Sequence, residues 1–321
     1  MPRTALAFAP AVISNFFVIH DEAMLSRPID LQRVGATGGG FTLSKGVYTR
    51  ASVEENQPAA VSVSMNGDAS YRATTARKAV SLLLKAAKRV RTRVDLEQRV
   101  QVPIGAGFGS SSASALSAAM AVASALDLGM DKAQVASFAH QADILCGTGL
   151  GTVSSTYDHV GAGIITHAGG PGVAVVERVK VPSDSRVVTA TLSTMRGKGA
   201  LLSSPGLKRN LNELGQEALE QALASRSFEG LLAAGETFAE KLGLEAPGIG
   251  RLISAAKTSG ATAASQNMVG NSMHAVVHKE GVERLLDSLG SFSGAARLDV
   301  FRIGGGSARL VKPGKGRIID T

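Results

Sequence analysis

Pro103-Ile104-Gly105-Ala106-Gly107-Phe108-Gly109-Ser110-Ser111-Ser112-Ala113 is the stretch on which the reading of this chain turns. Glycine at positions 105, 107 and 109 opens backbone conformations closed to other residues, so that successive N–H groups can converge on one point. Beyond it, Leu116, Ala119, Met120 and Ala123 fall on one helical stripe and predict a helix from about Ser111 to Leu126. A glycine loop ending at a helix N-terminus is a cradle for phosphate, and hydroxyls at the helix start can complete it or hold Mg²⁺. The residues expected to form it are Pro103, Gly105, Ala106, Gly107, Gly109, Ser110, Ser111 and Ser112. It is not a Walker A loop, because no Gly-Lys-Ser/Thr follows. Nor is it a dinucleotide fingerprint: Gly109 precedes three serines, and no acidic residue suits a ribose about 20 residues on.

Upstream, the pattern is that of strands. Thr4 to Phe17 reads as one, interrupted at Pro10; Thr37-Gly38-Gly39-Gly40 marks a turn or a close backbone approach. Phe41 to Val53 and Val61 to Met65 alternate, and Asn66-Gly67-Asp68 is a hairpin-type turn signal ahead of Tyr71. Val80, Leu83, Leu84, Ala87 and Val90 recur at helical spacing between Thr75 and Arg91, and Arg93 to Val102 predicts the strand that enters the glycine loop. Downstream, a helix over about Lys132 to Leu145 starts after Asp131, a plausible N-cap, and a glycine-broken segment runs from Gly147 to Gly172.

Beyond that segment strands are expected at Val173 to Val181, Arg186 to Leu192, Ala261 to Ser265, Ser272 to His278 and Leu298 to Ile303. Helices fill most of the span up to Gly260 and recur near Val282 to Leu289, a pattern that suggests an α+β sandwich. The Gly/Pro cluster His167 to Gly172 places the domain boundary, giving domains 1–172 and 173–321.

Composition narrows the function classes. With 321 residues, 44% hydrophobic and 4% aromatic, the core must be built largely from Ala, Val, Leu and Ile. No apolar run approaches the roughly 20 residues of a bilayer span, and Met1 to Phe17 lacks the pattern of a secretory leader, so cytoplasm is the expected location. The single cysteine, Cys146, excludes an intrachain disulfide and a Cys-cluster zinc site, and the six histidines show no metal spacing. Of the formal net charge of +8, most sits between Arg72 and Val100, where nine Lys/Arg face Asp95 and Glu97. Without interleaved aromatics this reads as a solvated helix face, and nucleic acid is not the expected partner.

The loop resembles the second motif of the GHMP kinases, Pro-x-x-x-Gly-Leu-Gly-Ser-Ser-Ala. Ala9-Pro10-Ala11-Val12 resembles the opening of their first motif, and Ser265-Gln266-Asn267-Met268-Val269-Gly270-Asn271-Ser272 stands where their third, glycine-rich motif falls. Within that superfamily the chain is most similar to the archaeal pantoate kinases, in Pro10 to Phe17, in Gly38 to Gly40 followed by Lys45-Gly46-Val47-Tyr48-Thr49, in Cys146 to Gly151 and in Met268 to Asn271. The resemblance implies a two-domain α+β fold, with an N-terminal ribosomal protein S5 domain 2-like unit and a C-terminal ferredoxin-like α/β sandwich. It implies ATP and Mg²⁺ as cofactors and phosphorylation of the primary hydroxyl of pantoate to 4-phosphopantoate, on the way to coenzyme A. A kinase for another small hydroxy acid or alcohol, such as mevalonate or homoserine, is the alternative, and a basic nucleic-acid-binding protein on the same fold is a third reading. A homodimer is left open.

Site roles follow from the resemblance alone. Asp143 stands where a helix carboxylate binds Mg²⁺ together with a loop serine, here Ser111. Ser14, His20, Gly39, Gly149, Gly151 and Thr152 are the expected acceptor contacts. Thr152 occupies the place of the catalytic Asp in Gly-Leu-Gly-Asp and cannot accept a proton at neutral pH. Either Asp158 acts as the base, or the reaction runs on alignment and charge stabilisation. Candidates for the acceptor carboxylate are Arg27, Lys45, Arg50 and the Gly38 to Gly40 amides.

Overall fold

The computed structural model describes residues 2–192, 205–268, 270–292 and 297–312. Strand β1, Arg3–His20, runs through Pro10 without ending there. It pairs antiparallel with β2, Gly35–Glu55, and the register shifts between Pro10 and Val12, where the missing N–H is accommodated as an irregularity. The glycines at 38–40 lie inside β2 and do not make a turn. A Cβ on Gly38 would meet the Phe16 carbonyl and lie 2.7 Å from the Phe17 Cα, so close approach to β1 is what the residue permits.

Strand β3, Ala60–Met65, ends in the tight turn at Asn66 and Gly67, both at positive φ (52° and 85°). The turn is of the hairpin type that the signal predicts, closed by one antiparallel bridge between Met65 and Asp68, but no second strand continues from it. The chain instead enters α1, Thr74–Ala86, and returns as β4, Thr92–Val100, parallel to β3. Helix α1 stops short of the expected Arg91 because Lys88 takes φ 56° and the Arg89 N–H bonds back to the Leu84 carbonyl. Val90 is consequently exposed rather than on the buried stripe.

Helix α2, Ser110–Ala125, leaves the glycine loop, and 14 of its 16 residues are buried, where the sequence predicted a single stripe. It packs against β1, β2, α1 and α3, Lys132–Cys146, and small side chains are what allow that enclosure. Two of its buried serines are hydrogen-bonded: Ser114 donates to Gln98 Oε1 at 2.6 Å, and Ser117 donates to the Ala113 carbonyl at 2.8 Å; Gln98 Nε2 in turn donates to Thr49. The expected Asp131 cap is present as a capping box with Gln134.

A short helix α4, Thr152–Thr156, leads to β5, Ala162–His167, and β6, Val175–Val179. Strand β5 pairs with β2 at Gly38 to Phe41 and with β6, so both strands belong to the first sheet; the Gly172/Val173 division falls between them. That sheet has the order β11-β1-β2-β4-β3, where β11, Arg309–Val311, comes from the far end of the described chain. The second sheet, β10-β7-β9-β8, is antiparallel throughout and comprises β7 (Ser185–Thr191), β8 (Ala263–Gln266), β9 (Ser272–His278) and β10 (Arg297–Arg302). Helices α5, Pro205–Ser225, and α6, Phe228–Leu242, contact β1, whereas α7, Ile249–Thr258, and α8, Val282–Gly290, close a separate small core on the second sheet. The fold is the expected α+β arrangement. No helix among the described residues is long and apolar enough to cross a membrane.

Candidate active site

Between β4 and α2 the glycine loop takes positive φ at 105, 107 and 109 (76°, 92° and 61°), and α2 starts at Ser110. Three segments distant in sequence close on it. The register break in β1 leaves the Val12 N–H to donate to the Phe108 carbonyl at 3.1 Å. A Cβ on Gly109 would lie 2.6 Å from Val12 Cγ1 and 3.1 Å from Thr152 Cγ2. The turn that carries Asn267, Gly270 and Ser272 sits over the Ala106–Gly107 peptide: the Ser272 hydroxyl donates to the Ala106 carbonyl, and a Cβ on Gly270 would collide with that same carbonyl. The segments picked out by motif are therefore brought together around one loop.

The cleft beside the loop has Gly107, Gly109 and the α4 start on one side and the glycines of β2 on the other. Of the expected acceptor contacts, Ser14, Gly39, Gly149, Gly151 and Thr152 line it. His20 does not; its Nε2 is 3.0 Å from the Thr37 hydroxyl, and it reaches the lining only through that residue. Arg27, Lys45 and Arg50 are also outside the lining. Arg50 faces Glu97 at 3.9 Å, and Lys45 lies 5.7 Å from the Phe301 ring. The Gly38 to Gly40 backbone does line the cleft, but it is held between β1 and β5.

Asp143, on the last turn of α3, is 1% exposed. Thr148 donates its hydroxyl to Oδ1 at 2.7 Å. The other oxygen faces Gly149, whose Cβ position is 3.0 Å from Asp143 Oδ2 and 3.2 Å from Ser112 Oγ. Asp143 and Ser112 thus lie together behind Gly149, and of these three only Gly149 lines the cleft; Ser111, the partner expected from sequence, is half-buried one position before Ser112 on the helix and is also outside the lining. Burial, followed by the charge of Asp143, pushes the Cys146 thiol up from its ordinary range. Asp158 lies outside the cleft lining: its side chain is 69% exposed and paired with Lys132 Nζ at 3.0 Å.

Sequence reasoning passed over Phe17, Thr148, His159 and Met268, all of which line the cleft. Phe17, Thr148 and Met268 had a signal, since they lie inside the Pro10 to Phe17, Cys146 to Gly151 and Met268 to Asn271 matches; His159 comes from tertiary packing. His159 Nε2 is 2.9 Å from the Ala162 carbonyl, and burial holds its pKa below the ordinary value. Burial also lowers the pKa of His274, from 6.5 to about 4. The unfolded chain therefore binds a proton here more readily than the folded one between those values. The stability gained by keeping His274 neutral is complete above about pH 6.5 and declines as pH falls toward about 4, a change on the order of 3 kcal/mol. Urea unfolding midpoints should drop between pH 7.5 and pH 5, and His274→Leu should show a shallower drop; the downward-shifted His140 and His159 contribute the remainder.

Comparison with known proteins agrees with this arrangement. Residues 74–157 match the GHMP kinases N terminal domain. A pantoate kinase from Methanocaldococcus jannaschii is 28% identical over 155 residues, covering 48% of this chain and 55% of the relative, so that the match spans about half the length of each. A solved structure described as a phosphotransferase related to the CoA biosynthesis pathway superimposes with a TM-score of 0.82 at 26% identity, covering 96% of this chain and 98% of that one. The mevalonate diphosphate decarboxylase from Enterococcus faecalis, solved with AMPPCP and magnesium, shares the fold at a TM-score of 0.71 and 15% identity, over 98% of this chain and 100% of that one. Residues 74–157 are thus similar to the N-terminal domain of the GHMP kinases, and the fold of the chain is of the kind that those enzymes have.

Proposed function

We propose that the protein transfers the γ-phosphoryl group of ATP to the primary hydroxyl of pantoate, giving 4-phosphopantoate and ADP. The observation that carries the reading is the positive-φ glycine loop at the α2 N-terminus, whose Gly107 and Gly109 line the cleft, with the buried Asp143 carboxylate directly behind the cleft residues Thr148 and Gly149. The likeness to a pantoate kinase over 48% of the chain supports pantoate as the acceptor, and the likeness to a phosphotransferase related to CoA biosynthesis over 96% of it is in keeping with that.

The residues present fit a nucleotide triphosphate and a divalent ion. Loop N–H groups and the α2 dipole suit the phosphates, and Asp143 with a hydroxyl of Ser111 or Ser112 supplies hard oxygen ligands for Mg²⁺. When bound, the ion would neutralise charge on the phosphates and fix their orientation. The chain's own residues do the rest. Gly107 and Gly109 leave room for the phosphates, Thr152 gives or takes one hydrogen bond at the acceptor end, and Phe17 and Met268 help exclude water. The acceptor oxygen forms a bond to the γ-phosphorus as the bond from phosphorus to the β–γ bridging oxygen breaks, and the hydroxyl proton is released. With Thr152 unable to take that proton and Asp158 paired with Lys132 outside the cleft, alignment and charge stabilisation carry the step.

ADP release with pantoate, mevalonate and homoserine as separate acceptors tests the assignment; turnover with either of the latter above that with pantoate would overturn it. Asp158→Asn should lower turnover by less than about tenfold, below the roughly 10²–10⁴-fold that a positioned base contributes. A loss within that larger range, at unchanged ATP and pantoate affinity, would make Asp158 the base.

A further inference from the structure

A chain of buried polar side chains runs from β1 to the phosphate loop. Asn15, His274, Asn267 and Ser272 are each 2% exposed or less, and they join the first sheet, the second sheet and the turn that covers the loop. Their partners fix the direction of every bond. Ser272 spends its proton on the Ala106 carbonyl, so its oxygen accepts from Asn267 Nδ2 at 2.8 Å. Asn267 Oδ1 then accepts from His274 Nδ1–H at 2.8 Å, which leaves His274 Nε2 to accept from Asn15 Nδ2 at 3.4 Å. That order requires a neutral imidazole. The side chains around it meet the requirement: Phe41 presents its ring at 5.6 Å, and Thr189 and Ser265 are the cross-strand neighbours, so that neither they nor Asn15 and Asn267 bring a charge.

The chain ends on a carbonyl, and the consequence lies on the other side of that peptide. A peptide unit is planar and trans, so a carbonyl held toward Ser272 turns the N–H of the next residue the opposite way. The next residue is Gly107, which lines the cleft. We propose that Asn15, His274, Asn267 and Ser272 act as a positioning relay that fixes the Ala106–Gly107 peptide and presents the Gly107 N–H to a nucleotide phosphate. The relay rests on the kinase reading above, and it makes nucleotide affinity depend on residues that do not line the cleft.

Calorimetric titration of the full chain with Mg-ATP, on wild type, Ser272→Ala, His274→Leu and His274→Asn, is the test. Ser272→Ala and His274→Leu should weaken ATP binding by about tenfold or more, the loss expected when a hydrogen bond to an ionised group is misdirected. His274→Asn places an amide N–H near the Nδ1 position and should stay within about threefold of wild type, although Leu fills an apolar core better than Asn. The KM for the acceptor should not move in any of them. A role in packing alone gives the reverse order for Leu and Asn, and that order, or wild-type affinity in both Ser272→Ala and His274→Leu, overturns the relay. Wild-type protein that binds no Mg-ATP overturns the kinase reading itself and the relay with it. Should His274→Leu fail to fold, Ser272→Ala, which deletes one oxygen, decides the matter.

Discussion

Gly107→Val is expected to abolish ATP binding, raising the dissociation constant by at least about a hundredfold. Two costs act together. Gly107 has φ 92°, a conformation from which a β-branched residue is excluded, and forcing it there costs about 1–3 kcal/mol. Its Cβ would also fall on the Asn267 carbonyl oxygen and 2.7 Å from the Asn267 Cβ, so either the loop or the covering turn must move. Movement of the loop displaces the N–H groups that the phosphates need. Ala106 and Phe108 on either side belong to the main core, but the strands and helices that make up most of it are untouched by the substitution, so the circular dichroism spectrum should keep its native form, with a melting point lowered by a few degrees. Calorimetry showing wild-type ATP affinity in this variant would remove the loop from the site.

Asp143→Asn should cost about 10²–10³-fold in turnover, the size of effect seen when one preorganised electrostatic group at a transferring centre is lost. Asn preserves volume and keeps an acceptor for the Thr148 hydroxyl, so the substitution removes charge with little else. The Mg²⁺ concentration for half-maximal rate should rise, while the affinity for the acceptor stays near that of wild type. Because Ser112 lies beside Asp143 at Gly149, the Mg²⁺ dependence of Ser111→Ala and Ser112→Ala shows which hydroxyl shares the ion with Asp143, and that serine should be non-additive with Asp143→Asn. Additive losses at unchanged Mg²⁺ dependence would separate the carboxylate from the metal.

Most of the fold could be read from periodicity because most of its elements are locally consistent. Strand β9 coincides with the expected Ser272 to His278, and α3 carries the cap that Asp131 promised. Errors arose where tertiary context outweighs local chemistry. Asn66-Gly67 is a good hairpin turn in isolation, yet β3 finds its partner only after α1 has carried the chain across, and local sequence holds no record of that choice. Val90 fits the helical stripe of α1, but the backbone reversal at Lys88 removes it from the helix. In the site, the residues on backbone-defined motifs could be found because glycines and helix starts leave a sequence signature. The placement of Ser112 beside Asp143 could not, since the rotation of α2 is set by packing on all its sides. Phe17 and Met268 stood inside matched segments, yet nothing in sequence distinguishes an apolar side chain that lines a cleft from one that fills the core, and His159 stood outside every match.

The pairing of β11 with β1 bears on how this chain reaches its native state during synthesis. Leu6, Ala7 and Phe8 wait for Val311, Leu310 and Arg309, partners made about three hundred residues later. Until then β1 presents an unpaired edge, and the first sheet cannot be completed before residues 309–311 have been made. Contacts of such sequence separation slow folding, because the loop must be closed before the pairing rewards it. A fragment ending at Gly172 would lack both β11 and β6 and so leave β1 and β5 with open edges. It should aggregate on release, and a separately produced segment spanning 173–321 should restore solubility only when both are expressed together.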